Sequence, residues 1–280
     1  MNRIDLHVHT TGSDSTYTPR QAVTLASRLG LRAMAITDHD TVIGYAEGAE
    51  AARELGLELV PGIEISTKYG GAVHVLGYYI DPASERLRPV LDWIVSDRDR
   101  RNSRVVELMR ADGFDVTYEG MKERFGEVIG RPHFARLFVE YGLAADVNEA
   151  FARFVEKGQR YYVPRTIMPI EQAVRIIVEA GGVPVLAHPF QYKKNDAELR
   201  ELIEHCMDYG LRGIECRYTG YDAEMVRYLE DLAGEYRLVK TGGSDFHGQN
   251  KPQNHLGTGL NGELNVPYEW LERLREEAGR

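Results

Sequence analysis

His7 and His9 lie two residues apart in an apolar stretch, with Asp14 shortly after them. In a strand, residues i and i+2 point to the same face, so the two imidazoles can reach one ion. Five more short motifs carry the same kinds of side chain: Thr37-Asp38-His39-Asp40, Pro61-Gly62-Ile63-Glu64, Val73-His74-Val75, Ala187-His188-Pro189 and Gly243-Ser244-Asp245-Phe246-His247. Imidazole and carboxylate without thiolate suit Mn2+, Fe2+ or Zn2+, whereas a Mg2+ or Ca2+ site would be nearly all oxygen. The two cysteines, Cys206 and Cys216, show no CxxC spacing and are expected to pack as small apolar side chains.

These groups must be positioned by a series of β-rich runs that alternate with helical patterns. Strands are predicted over residues 4–8, 33–37, 57–66, 72–80, 183–187, 213–217 and 238–241. Helical stripes fall between them. Ahead of the stripe Ala22, Leu25, Ala26 and Leu29, the residues Thr18, Pro19 and Gln21 have the types of N-cap, N1 and N3. Seven strands with intervening helices read as an α/β fold closed into a parallel barrel. Only residues 67–71 separate the third and fourth runs, too few for a helical crossover, so that pair is expected to be an antiparallel hairpin. Residues 98–165 look helical throughout (98–111, 118–125, 132–141 and 147–156) and read as an insertion covering one end of the barrel. On this pattern His7, His9, His39, Glu64, His188, Asp245 and His247 lie at or just past strand C-termini, the face where barrel sites are built. The hairpin brings His74 to the same face, because its strand starts where the preceding one ends.

Taken together, the pieces DLHVHTTGSD, ITDHD, PGIEIS, VHVLGY, LAHP and GGSDFHG resemble the polymerase and histidinol phosphatase (PHP) family, in the family's order, from residue 5 to residue 248. The resemblance implies a distorted seven-stranded (β/α)7 barrel with a trinuclear metal centre. With 98–165 as a helical substrate cap, the barrel would comprise residues 1–97 and 166–280. One ion would be held by His7, His9, Glu64 and Asp245; a second would share Glu64 and add His74 and His188; a third would take Asp14, His39 and His247. Two to three divalent transition-metal ions are thus the expected cofactor, with Glu64, Asp245 and His188 as catalytic residues. A water held between such ions loses a proton near neutral pH and attacks phosphorus in line. Asp38 and Asp40, which flank His39, are expected to orient neighbouring groups rather than to ligate.

In the insertion, Arg131 and His133 open a helix through Pro132, where backbone N–H groups and the helix dipole favour an anion. The run 158–165 mixes arginines, Arg160 among them, with tyrosines, types suited to a phosphate and a base. Similar segments occur in the branch of the family that acts on nucleotides. Arg131, His133 and Arg160 are therefore the expected substrate contacts, while His205 and His255 are expected at the surface. The leading expectation is a phosphatase for nucleotides, either nucleoside monophosphates or 3′,5′-bisphosphates. A cyclic phosphodiesterase or a 5′→3′ exonuclease on short RNA would use the same ligands; a histidinol phosphatase or a non-catalytic PHP module fits less well. A net charge of −9 with no basic run argues against duplex DNA as partner. No apolar stretch suits a bilayer and no secretory signal opens the chain, so a cytoplasmic location is expected.

Overall fold

The computed structural model describes residues 3–126 and 128–280. Among these run nine strands: β1 (Arg3–Val8), β2 (Ala33–Ile36), β3 (Glu58–Lys68), β4 (Ala72–Tyr78), β5 (Met168–Pro169), β6 (Val183–Leu186), β7 (Gly213–Tyr218), β8 (Val239–Gly243) and β9 (Val266–Pro267). Seven of them correspond to the runs read from the sequence. The additional two, β5 and β9, are two residues long, too short to leave a pattern. The helices are α1 (Pro19–Arg28), α2 (Tyr45–Leu55), α3 (Leu87–Ala111), α4 (Tyr118–Phe125), α5 (Arg131–Glu140), α6 (Val147–Ala150), α7 (Ile170–Glu179), α8 (Asp196–Met207), α9 (Ala223–Tyr236) and α10 (Tyr268–Glu277). Thr18 and Gln21 cap α1 reciprocally, with Pro19 at its start. No helix among the described residues is long and apolar enough to cross a membrane.

The sheet order is β8-β7-β6-β4-β3-β2-β1-β9, with β5 added beside β3. Pairings β1–β2, β2–β3, β6–β7 and β7–β8 are parallel. Strand β4 runs antiparallel to β3, as the short connection at 67–71 requires, and also to β6. The barrel closes between β1 and the end of β8 through a Val8–Phe246 bridge, in which the His9 N–H donates to the Phe246 carbonyl at 3.0 Å. Period-two alternation in β1 puts Asp5, His7 and His9 on one face and Ile4, Leu6 and Val8 on the other. Ile4, Leu6, Ala33 and Val183 pack with Tyr268, Leu271 and Leu274 of α10. Cys206 and Cys216 are buried free thiols within the cluster between β7, β6 and the outer helices.

The helical segment starts earlier than expected. Helix α3 runs unbroken from Leu87, so residue 98 lies in its interior. Its first turns give Leu87, Leu91 and Ile94 to the core of the barrel wall; Val105, Val106 and Met109 belong to a separate core with Phe134, Phe138, Val155 and Tyr161. One rigid rod is thus anchored at both ends. A π-turn, Phe151–Val155, continues α6.

Candidate metal centre

Glu64 is the hub of the site. Its Oε1 lies 2.8 Å from Nδ1 of His74 and 2.9 Å from Nε2 of His188. Its Oε2 lies 3.0 Å from Nδ1 of His39, 3.2 Å from Nε2 of His9 and 3.3 Å from Nε2 of His7. Oδ1 of Asp245 is 3.2 Å from Nε2 of His9 and 3.6 Å from Nε2 of His7. Oδ1 of Asp14 is 3.1 Å from Nε2 of His247 and 3.9 Å from Nδ1 of His9. All nine expected ligands therefore meet at the barrel mouth. Three groups of them, overlapping at His9, His39 and Glu64, have ligand atoms all within 4.8 Å of one another: His7, His9, Glu64 and Asp245; His9, Asp14, His39 and His247; His39, Glu64 and His74.

The state of these atoms tests whether cations fit. Nε2 of His7, His9 and His247, Nδ1 of His39 and His188, and Oε2 of Glu64 are buried without a hydrogen-bond partner. Each such orphan costs about 1–3 kcal/mol. Apart from Nδ1 of His188, whose Nε2 is the nitrogen that faces Glu64, these atoms fall in the three overlapping groups as metal-facing lone pairs would, and the donor set fits a borderline transition metal. Burial alone would raise Glu64, but the surrounding imidazoles, His39 first, hold its carboxyl well below the usual range. Burial likewise opposes ionisation of Asp245, and Lys251 and His247 reverse the balance.

A second set of residues aims the first. Glu215 accepts from Nδ1 of His7 at 2.9 Å and from the His188 N–H at 2.7 Å, turning the His7 Nε2 lone pair toward the centre. Nδ1 of His247 faces the Asp245 carbonyl at 2.8 Å. Tyr218 and Lys251 each donate to Oδ2 of Asp245 at 2.6 Å, leaving Oδ1 to the imidazoles. Asp38 ties down the loop after β1, accepting from the Thr10 N–H, the Thr10 hydroxyl and the Ser13 hydroxyl. Asp40 accepts from the Ser66 N–H and pairs with Arg98 and Arg165. Glu215, Tyr218, Lys251 and Arg98 escape a reading by motif. The signal for Glu215 is a charged residue amid a parallel strand, where both faces are normally apolar.

Beside the ligands lies a cavity of about 240 Å³. Asp14, His39 and His74 form one wall, and Arg98, Arg101, Arg131 and Arg165 another. Arg101 is buried, its Nε has no partner, and burial together with Arg165, Arg98 and Arg131 pulls it down to about 9. Of the expected substrate contacts, only Arg131 reaches this cavity. His133 is buried with its Nδ1 accepting from the Gly130 N–H and its ring stacked on Phe125, so it works as a cap of its own helix. Arg160 is taken up on the surface by Asp112, at 3.0 and 3.1 Å, beside the Tyr161 hydroxyl. His205 is half-exposed beside Glu171.

Imidazoles and carboxylates gathered without thiolate at the C-terminal mouth of an α/β barrel define a metal-dependent hydrolase. The chain belongs to the PHP domain family, whose model matches residues 5–215. A 5′-3′ exoribonuclease of Haemophilus influenzae is 31% identical over 246 residues, 88% of this chain and 90% of its own. A 3′,5′-nucleoside bisphosphate phosphatase of Chromobacterium violaceum is 32% identical over 260 residues, covering 92% and 91%. Among solved structures, a protein of Bifidobacterium adolescentis assigned as a metal-dependent phosphoesterase superposes with a TM-score of 0.85 at 33% identity, covering 98% of this chain and 95% of its own. The chain is a metal-dependent phosphoesterase.

Proposed function

We propose that the enzyme removes phosphate from nucleotides and that nucleoside 3′,5′-bisphosphates are its best monoester substrates. The observation that carries this reading is the single cavity in which metal ligands and four arginines face one another. Among the described residues this cluster is ion-paired only with Asp40, through Arg98 and Arg165, and its remaining charge calls for an anion beyond the reacting phosphate. A bisphosphate supplies one at each end.

In this reading His7, His9, Glu64 and Asp245 hold one ion, Glu64, His74 and His188 a second, and Asp14, His39 and His247 a third, drawn from Mn2+, Fe2+ or Zn2+. Such ions, when bound, supply Lewis acidity and lower the pKa of water. Glu64, Asp245 and His188 shape the reacting centre. Glu215 keeps the His7 ring from rotating and holds the His188 backbone, and Tyr218 and Lys251 hold the Asp245 carboxylate. Arg101 and Arg131 fix the distal phosphate, and Asp40 keeps Arg98 and Arg165 beside them. The exoribonuclease relative favours a second use of the same residues. The first nucleotide of a 5′-phosphorylated RNA is itself a 3′,5′-bisphosphate whose 3′ group is a diester, so short RNA presents the same two anions.

The test compares Arg101→Ala, Arg131→Ala and Arg160→Ala on a nucleoside 3′,5′-bisphosphate, a 5′-phosphorylated trinucleotide and an aryl phosphate. Loss of a charge-assisted contact worth about 1.5–3 kcal/mol lowers kcat/KM roughly ten- to hundredfold. That loss is expected for the first two variants on the first two substrates. The aryl phosphate, which has no distal anion, should be spared, and Arg160→Ala should stay near wild type. Equal losses on all three substrates would place the arginines at the reacting phosphate instead.

A further inference from the structure

The cavity has a third wall. Between the metal ligands and the arginines it is bounded by Val128, Pro132, Ile167 and Phe151. Phe151 is the one carbocyclic ring among its described lining residues. The neighbouring aromatics are committed elsewhere. Phe138 stacks on Phe154 at 4.4 Å and packs against Tyr161 at 5.0 Å, forming the centre of the helical core. Phe151 joins no ring–ring pair among the described residues; its ring faces the Arg131 guanidinium at 5.1 Å.

The backbone explains why this ring differs. Phe151 is the first residue of the π-turn, and its carbonyl accepts from the Glu156 N–H at 2.9 Å, five residues on. The wider turn shifts the residues that follow it out of α-helical phase with those before. Val155 then falls into the core, and Phe151 and Phe154 both lie half-buried against it, but of these only Phe151 also lines the cavity. Single π-turns occur often at functional sites for this reason.

From this we infer that Phe151, with Arg131 beside it, forms the subsite for a nucleobase. This rests on the nucleotide reading above and adds to it. An aromatic face next to a guanidinium recognises a flat heterocycle by stacking, with little dependence on its hydrogen-bonding edge. Any base is accepted, and purines, with the larger face, bind better than pyrimidines.

The experiment uses metal-loaded enzyme and three compounds that differ only at the sugar C1 position: the 3′,5′-bisphosphates of a deoxyadenosine, a deoxyuridine and an abasic deoxyribose. For wild type, kcat/KM should fall in that order. In Phe151→Leu, losses of about ten- to hundredfold are expected for the adenine compound, smaller ones for uracil and the least for the abasic sugar, so the ranking collapses. The fall should appear in KM rather than kcat. Phe151→Trp, which keeps an aromatic face, should restore the ranking. Metal content and thermal unfolding of each variant separate this from a folding defect; if Phe151→Leu does not fold, the ranking in Phe151→Trp and in Arg131→Lys decides. A ranking that survives in Phe151→Leu, or equal losses on all three compounds, would overturn the base subsite while leaving the nucleotide reading intact. A wild type indifferent to the base would likewise overturn only the base subsite, whereas failure to turn over any of the three bisphosphates would sink the nucleotide reading as well.

Discussion

Asp40, His188 and Asp245 have φ values of 58°, 24° and 52°, a backbone region that residues other than glycine seldom adopt. Each follows closely on a strand end and turns its side chain back over the barrel mouth. Asparagine tolerates this region, so Asp40→Asn removes a charge and leaves the turn in place. Asp40 is fully buried and is the counter-charge of Arg98 and Arg165. Stripping one partner from such a pair costs about 3–5 kcal/mol. We expect Asp40→Asn to lower unfolding stability by about 3 kcal/mol in denaturant titrations and to keep its metal. Glu64→Gln should instead lose metal by elemental analysis, with activity down by more than the ~10–100-fold typical of groups that only orient ligands. Both variants retaining full metal with equal activity would remove Glu64 from the hub. The gathering of these nine side chains was legible in the sequence because histidines and acids at strand ends have few structural duties there. Glu215 was not, since one acid in Gly213-Ile214-Glu215-Cys216 looks like the solvent side of an ordinary strand.

Strands β1 and β8 approach more closely here than side chains permit. A Cβ on Gly243 would lie 2.3 Å from the His7 backbone nitrogen and 2.4 Å from the His7 Cβ. Because the His7 backbone N–H is held by Asp5 and its ring by Glu215, neither side can give. Gly243→Ala should therefore destabilise the fold by about 1–3 kcal/mol and reduce metal occupancy by moving β8 off β1. Gly234→Ala, in α9 with nothing within 4 Å of the added carbon, should be stabilising by up to about 1 kcal/mol. Thermal melts with metal analysis read both. At this scale the hairpin, the cap of α1 and the seven long strands were plain in the pattern of side chains. The arginine wall was hidden, because Arg98 and Arg101 occur in a run dense with charge, 97–101, that resembles a solvated helix face. The pairing of Arg160 was hidden for the opposite reason: its basic and aromatic neighbours suggest an anion site, and its partner Asp112 is 48 residues away.

The whole molecule carries the electrostatic cost of its centre. Burial lowers His9, yet Asp245 and Glu64 overcome that and raise it to about 9. His7 is likewise held well above its ordinary value by Glu215 and Glu64 against burial. Without ions both rings are protonated at pH 7, whereas His247, at about 4, is already neutral. Metal ligation requires neutral imidazole. Loading the apoprotein at pH 7 should release about two protons per chain, and fewer above pH 9, where His9 has already lost its proton. Calorimetric titrations in buffers of different ionisation enthalpy measure this directly; a buffer-independent heat would contradict it. Free metal at a hundred times its dissociation constant should add about 2.7 kcal/mol of stability, seen as a fall in Tm on chelation.

The bridge between Val8 and Phe246 also sets an order of events in time. At roughly 5–20 residues per second, a ribosome needs some ten to fifty seconds to travel from one to the other. During that interval His7 and His9 are outside the tunnel with neither Asp245 nor His247 yet made. A metal ion met in that interval finds an incomplete set, at most His7, His9, Asp14, His39, Glu64, His74 and His188. The set is completed only once Asp245 and His247 follow, when strands β1 to β8 of the barrel are already made and can choose its ion.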